Sequence, residues 1–460
     1  MGPRLWIEVT PVFTSLSNYI HPTTRYPFFN ALFHILGLSI DSEPQTVKLQ
    51  LINYRRYNQD IKLNMGNYLS YPSLKKHAED GKNQKFLYAL CEMQGWRLVR
   101  HKRNIDGTRV GVTDMEDAHA AVLDLDGNEE STNAFFAVYD GHGGFNCAKH
   151  SGPNVHRKLI TQDAYKSGEY REALRRTFIE FDEEMKSLTG NDAIGASGCT
   201  AVTALVTKDN RVFVANAGDS RAVISSGGLS KALSNDHKPG DPAETKRITE
   251  AQGFVRFGRV NGNIALSRAF GDFEYKKNET LSPEAQIITC DPEIIEHAIS
   301  ADDEFLIIAC DGIWDCLSSQ AAVDSVRLLL SQGYKLPEVC ERLLDHLVAP
   351  DTDSDSPVGC DNMTVLVVAL LNGKTEDEWY AWVSERAKQN TNFERLPQLY
   401  ADYRLSRFEK RKEIMAERER QRQGDSTGSG TLTPTQVSET AAESGTSFLA
   451  QPELTPPASA

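Results

Sequence analysis

Two stretches constrain this chain more than any others: AFFAVYDGHGG at 134–144 and FLIIACDGIWD at 305–315. Each is a run of apolar and aromatic residues stopped abruptly by Asp-Gly. A short apolar run bounded by glycine predicts a buried strand. The Asp then stands where the strand leaves the core, and the Gly permits a tight turn and close approach of a ligand to the backbone. A strand end is a rigid mount for a carboxylate, so two of them predict carboxylates converging on a cation. GCDNMTVLVVAL at 359–370 repeats the logic in reverse, with Asp361 at the entrance of a strongly apolar strand. A single Asp-Gly is an ordinary turn signal; three carboxylates at strand ends form a pattern.

The rest of the chain alternates strand groups with pairs of helices. FLYALCEMQGWR at 86–97 reads as a strand, LVRHKRNIDGTRVGVTD at 98–114 as a basic, turn-rich segment, and MEDAHAAVLDL at 115–125 as an alternating strand. Helices are predicted at 146–162 and 169–188, the second carrying Leu174, Phe178, Phe181 and Met185 on one face. Strands follow through GCTAVTALVT and RVFVANAGDSRAVIS, with Asp219 in the turn of the latter. Further helices are predicted at 243–252, 321–332 and 337–347. This is an α+β pattern of two sheets with helices layered outside, not a regular βαβ alternation.

The domain plan has four parts. Residues 1–84 form an N-terminal extension without clear periodicity, and 85–372 form the globular domain, with an insertion at 98–114. Residues 373–423 form a charged helical extension, with Trp379 and Trp382 near its start. Residues 424–460, rich in Ser, Thr, Gly and Pro, form a disordered tail. The acidic run DTDSDS from Asp351 reads as a solvated linker.

Charge and cysteine usage narrow the function classes. A formal net charge of −14 argues against a nucleic-acid partner and suits a chain that gathers carboxylates around cations. The 8 cysteines show neither a CxxC pair nor zinc-ligand spacing, as expected for reduced thiols inside a cell. MGPRLWIEVTPVF lacks the basic and apolar regions of a secretory signal. The apolar stretch at 28–40 is broken by Asn30 and His34 and is too short to span a bilayer. The expectation is a cytoplasmic or nuclear protein, or both, with no transmembrane segment. MGNYLS at 65–70 fits an N-myristoylation pattern only if Met65 is the true start and Gly66 is acylated, with Lys75 and Lys76 as the second membrane signal.

The acids at strand ends and turns are Glu116, Asp140, Asp219, Asp311, Asp315 and Asp361. All-oxygen ligands favour hard cations, Mg²⁺ or Mn²⁺. Two such ions sharing a carboxylate and a bridging water suit in-line hydrolysis of a phosphate ester. Two further groups are needed: a cation to hold the phosphate, for which Arg97 is placed, and an acid for the leaving oxygen, for which His142 is placed beside Asp140.

Ten ordered motifs then resemble the metal-dependent protein phosphatase family (type 2C, PPM), fungal members in particular. They are GWR, MEDAH, VYDGHGG, SGCTA, NAGDSRAV, DHKP, RVNG, LSRAFGD, ACDGIWD and GCDNMTV, spread over about 85–371. The resemblance implies a central β-sandwich of two antiparallel sheets flanked by helix pairs. It implies removal of phosphate from phosphoserine and phosphothreonine in protein substrates by attack of a metal-bridging water at a binuclear Mg²⁺ or Mn²⁺ site. Asp140 bridges both ions by that pattern; Glu116 and the Gly141 carbonyl serve one, and Asp311 and Asp361 the other. Asp219, Asp311 and Asp315 form a weaker third site. Arg97 grips the phosphate, His142 is the general acid, and Arg259 lies in a flap near the substrate.

One departure stands out. The family separates GWR from MEDAH by two residues, whereas here 98–114 intervenes, either as a basic loop or as sequence absent from the native protein. It separates Arg97 from Glu116 and offers Arg100, Arg103 and Arg109 as competitors for the phosphate. Two rival readings follow. Cys91 to Arg97 spells C-x5-R, the phosphate loop of cysteine-dependent phosphatases. An inactive phosphatase-like protein that only binds phosphorylated partners is the other.

Overall fold

The computed structural model describes residues 68–97, 99–103, 109–112, 115–127, 132–188, 194–352 and 358–389, with short helical pieces between 408 and 420. Residues to 404 form one compact unit and 405–460 a second; in the latter, 408–410, 412–414 and 416–417 are helical. The expected extension before residue 68, with Met65–Asn67 of the MGNYLS start, and the tail at 424–460 lie outside the described residues.

Two antiparallel sheets make the centre. The first runs in the order β1 (Tyr68–Lys82), β2 (Phe86–Arg97), β18 (Met363–Leu370), β17 (Asp303–Ala309), β11 (Arg221–Ser226) and β12 (Leu229–Ala232). The second runs β16 (Glu293–Ala298), β10 (Arg211–Ala217), β9 (Ala201–Val206), β6 (Ala134–Tyr139) and β5 (Ala118–Val122). Successive side chains of a strand point to opposite faces. On β6, Phe136 and Val138 enter the core between the sheets, against Val202, Leu306 and Leu366. Phe135, Ala137 and Tyr139 enter a second core under the helices Asn146–Thr161 and Tyr170–Leu188, with Leu174, Phe178, Phe181 and Met185. Both faces of β6 are therefore covered, which is why its sequence is a continuous apolar run.

The sheet begins upstream of the boundary at residue 85. β1 pairs with β2 in register Ala78↔Cys91 and Lys82↔Leu87, so Tyr68–Lys82 belongs to the sandwich and not to an extension. The insertion is a hairpin of its own, β3 (Val99–Arg103) and β4 (Arg109–Val112), paired Arg103↔Arg109. Beyond β18, helix Glu376–Gln389 packs on helix Ser319–Ser331. Among the described residues no helix is long and apolar enough to cross a membrane.

A buried ion network ties this last helix down. Glu304 on β17 is fully buried and faces Arg327 Nε and Arg386 Nε, each at 3.2 Å. It also accepts from Ser225 Oγ at 2.7 Å. Arg327 is 1% exposed, so removing the carboxylate strands its charge in the interior. Glu304→Ala is expected to destabilise the protein by about 3–5 kcal/mol in urea denaturation. A loss below about 1 kcal/mol, as for an exposed ion pair, would show that water reaches the network.

Candidate active site

Each carboxylate has a separate mount. Asp140 follows β6; its N–H donates to Thr200 Oγ1 (3.1 Å) and its carbonyl accepts from the Thr200 N–H (2.9 Å). Thr200 Oγ1 also meets Ser220 Oγ at 2.7 Å, which joins this corner to the β10–β11 turn that carries buried Asp219. Asp311 does not sit in the tight Asp-Gly turn expected after β17. It opens a one-turn helix, Asp311–Trp314. Glycine at 312 allows that turn to lie against the entrance of β18, since a Cβ there would fall 1.9 Å from the Asn362 carbonyl oxygen. Asp361 stands at that entrance.

The hairpin at 98–114 does not part Arg97 from Glu116. Arg97 Nη1 donates to Asp361 Oδ2 at 2.8 Å, and its guanidinium also feels Glu116, Asp140 and Asp311. Asn362 stitches the two feet of the hairpin together: its Oδ1 accepts from the Glu116 N–H (3.1 Å) and its Nδ2 donates to the Gln94 carbonyl (2.9 Å). The side chains of Arg100, Arg103 and Arg109 lie outside the described residues. Cys91 and Arg97 lie on one extended strand and form no phosphate loop; burial pushes the Cys91 thiol up to about 12, so it is no thiolate nucleophile.

Crowding of like charge dominates the electrostatics. Burial raises the carboxyls of Asp140 and Asp311 well above the usual range, and Asp219 and Asp361 add to both; Asp117 raises Asp140 further and Asp140 raises Asp311, while a hydrogen bond with Asp311 draws Asp140 back part of the way. Asp117, beside Glu116, is pushed up to about 7 by burial, against a 2.6 Å hydrogen bond from Thr364 Oγ1. Its Oδ1 is buried without a hydrogen-bond partner. Burial also raises Glu116, opposed first by Arg97. Lys238 Nζ reaches Asp219 Oδ2 at 2.5 Å. Asp315 is exposed and within the field of Asp219 and Lys238.

His142 and Gly141 form β7 (Gly141–His142), paired with β8 (Gly198–Cys199), which in turn pairs with β15 (Phe270–Gly271). Glycine at 141 is a packing requirement: a Cβ there would stand 2.2 Å from the Glu116 carbonyl oxygen. His142 Nε2 lies 2.7 Å from Asp272 Oδ2. Burial disfavours the imidazolium, but the Asp272 carboxylate outweighs it and the pKa is raised. Arg259 lies on a separate hairpin, β13 (Val255–Arg256) with β14 (Arg259–Val260), and donates to the Asn263 carbonyl at 2.7 Å. No ion pair among the described residues joins it to the carboxylates.

Asp117, Lys238, Asp272 and Asn362 are site residues that sequence reasoning did not single out. Each sits inside a motif that it did quote: MEDAH, DHKP, LSRAFGD and GCDNMTV. Among the described residues no three His, Cys, Asp or Glu side chains are drawn together as a finished metal cage. Asp361 is held by Arg97 and Asp219 by Lys238. The residues nonetheless fit a hard divalent cation. The donors are carboxylate and carbonyl oxygens, two buried carboxyls are raised by the like charges around them, and a buried carboxylate oxygen lacks a partner.

Comparisons with known proteins point one way. A family model described as Protein phosphatase 2C matches residues 104–356. Protein phosphatase 2C homolog 2 of Aspergillus fumigatus is 46% identical over 319 residues, covering 67% of this chain and 70% of its own length. Protein phosphatase 2C homolog 3 of Schizosaccharomyces pombe is 44% identical over 329 residues, covering 71% and 74%. Among solved structures, a serine-threonine phosphatase 2C from Toxoplasma gondii is similar with a TM-score of 0.50 and 19% identity, covering 66% of this chain and 98% of that one. Another Toxoplasma gondii phosphatase gives 0.52 and 23%, covering 66% and 97%. At such identities the shared property is the fold.

The raised carboxyls set a pH direction for protein stripped of divalent cations. Asp117, Asp140 and Asp311 hold protons more tightly folded than unfolded. Their contribution to stability is complete below the ordinary carboxylate range and is lost as pH rises through the raised values. Thermal denaturation in chelator should show Tm falling between about pH 4 and 7, and Mn²⁺ added at the upper end should restore most of the fall. A level or rising Tm in chelator across that window would contradict the crowding.

Proposed function

The chain belongs to the protein phosphatase 2C family and is a metal-dependent protein serine/threonine phosphatase, and from that premise we propose that it hydrolyses phosphoserine and phosphothreonine at a binuclear Mg²⁺ or Mn²⁺ centre built on Asp140. Glu116 and the Gly141 carbonyl would complete one ion's ligands, and Asp311 and Asp361 the other's. Asp219, Asp311 and Asp315 would hold a weaker third. Bound divalent cations acidify water and neutralise phosphoryl charge.

The chain's own residues supply the rest. Arg97 spends one nitrogen on Asp361. Guanidinium has five donors in a planar fork, so others remain for the phosphoryl oxygens. Burial opposes its charge, but the four surrounding carboxylates hold the pKa up, so it stays cationic. His142 protonates the leaving serine or threonine oxygen. The observation that carries this reading is the meeting of Arg97, Glu116, Asp140, Asp311 and Asp361 at one place across the 98–114 hairpin.

The test is phosphate release from a phosphothreonine peptide with Mn²⁺, with chelator, and with Asp311→Asn. A second protein lacks 98–112, leaving Thr113 and Asp114 as spacer. Expected is turnover by the full chain that falls to background in chelator and in Asp311→Asn. Activity only after the deletion would mean the hairpin blocks the site. Silence from both would favour the phosphoprotein-binding reading.

A further inference from the structure

We propose that Asp272 is the residue that positions His142 for proton transfer, anchored by the buried Asp182–Lys276 pair, so that the proton leaves from Nδ1. This rests on the reading of His142 as the general acid.

The two side chains meet over a glycine. His142 pairs with Gly198 on one side of β8, and Gly271, the neighbour of Asp272, pairs with Gly198 on the other. A Cβ at position 198 would stand 2.5 Å from His142 Nε2 and 2.6 Å from Asp272 Oδ2. The 2.7 Å contact between the imidazole and the carboxylate occupies the space that any side chain at 198 would take.

Asp272 is held there against its own backbone preference. Its φ of 51° and ψ of 38° are left-handed, a conformation that costs a non-glycine residue energy and persists only where the surroundings impose it. The surroundings are specific. The Asp272 N–H donates to the Ser197 carbonyl at 3.3 Å, and the Gly271 N–H donates to Asp182 Oδ1 at 2.8 Å. Asp182 Oδ2 accepts from Lys276 Nζ at 2.7 Å, and Lys276 also donates to the Ala269 carbonyl at 2.8 Å. Asp182 is 3% exposed and Lys276 6%. The pair thus grips the turn from Ala269 to Lys276 at both ends and fastens it to helix Tyr170–Leu188. A buried ion pair is a poor source of net stability; here it fixes the direction of one carboxylate.

The consequence is chemical. A carboxylate accepts, so the imidazole nitrogen facing Asp272 carries a proton that it keeps. The other nitrogen, Nδ1, is the one available to substrate. As the P–O bond breaks, Nδ1–H passes its proton to the serine or threonine oxygen, which departs as the alcohol. The imidazole is left neutral, still donating through Nε2 to Asp272, and regains its Nδ1 proton from solvent. Orientation of an acid–base histidine by a buried carboxylate is a recurring device.

The test exploits the leaving group. A serine or threonine alkoxide needs a proton; p-nitrophenolate does not. We would measure kcat/KM with Mn²⁺ for a phosphothreonine peptide and for p-nitrophenyl phosphate in wild type, His142→Gln, Asp272→Asn and Gly198→Ala. The last variant wedges the contact apart without changing either partner. In metal-free protein, the hydrogen-bonded imidazole proton would be followed by NMR and assigned by its loss in His142→Gln. Loss of a general acid costs about 10²–10⁴-fold on the substrate that needs it. The expected result is a peptide-to-aryl ratio lowered by that order in His142→Gln and by about tenfold or more in Asp272→Asn and Gly198→Ala, with the imidazole resonance lost in both.

An unchanged ratio in Asp272→Asn and Gly198→Ala, beside a lowered ratio in His142→Gln, would overturn the proposal and leave the acid assignment standing. So would an equal loss on both substrates in Asp272→Asn, or persistence of the imidazole resonance. An unchanged ratio in His142→Gln would remove the acid assignment and the proposal with it.

Discussion

Mutual repulsion of carboxylates is the constraint on which the rest of this structure depends. Asp140, Asp219, Asp311 and Asp361 each raise the electrostatic cost of a neighbour's ionisation, and burial adds to it. Coulomb energy between like charges grows steeply as water is excluded, so such a cluster persists only where the backbone leaves its members no retreat. The two sheets provide that. Asp140 ends a strand packed on both faces, Asp311 opens a helical turn pressed against β18, and Asp361 stands at the mouth of β18. Arg97 and Lys238 take up part of the charge, at Asp361 and Asp219 respectively. In the proposed binuclear centre they would share these carboxylates with the cations.

The hairpin at 98–114 is tolerated for a related reason. A long insertion costs little closure entropy if its two ends are already fixed close together. Asn362 does the fixing, since one side chain binds the backbone of Gln94 before the hairpin and of Glu116 after it. The chain can leave the sandwich at Arg97 and return at Glu116 without disturbing what those residues face. The insertion therefore leaves the meeting of Arg97 with Glu116 and Asp361 intact.

Legibility in the sequence followed packing. Strands buried on both faces, such as β6, β17 and β18, announce themselves as apolar runs, and the Asp that ends or begins each one is visible for the same reason. β1 was hidden because it is a sheet edge: YLSYPSLKKHAEDGK carries Lys, Glu and Pro, as edges do to avoid pairing with other chains, and its register slips between Ser73 and Lys76. The helical turn at Asp311 was hidden because Asp-Gly is an equally good turn signal. Lys238, Asp272 and Asn362 lay within recognisable motifs, but their partners are distant in sequence. His142 and Asp272 are 130 residues apart. No local period or spacing can report such a contact.

The reaction floor itself is made of backbone. At Gly141 a side chain would strike the Glu116 carbonyl, and at Gly198 it would strike His142 and Asp272. The small sheet of β7, β8 and β15 thus brings the Gly141 backbone and the His142–Asp272 pair together by omitting side chains. Close-packed interiors relax little around an added methyl, so these two positions have no slack. A substituent at 141 meets the Glu116 backbone first, whereas one at 198 meets the imidazole and its carboxylate first. The two requirements are separable by position: Gly141 keeps clear of the Glu116 carbonyl, and Gly198 keeps clear of the contact between His142 and Asp272.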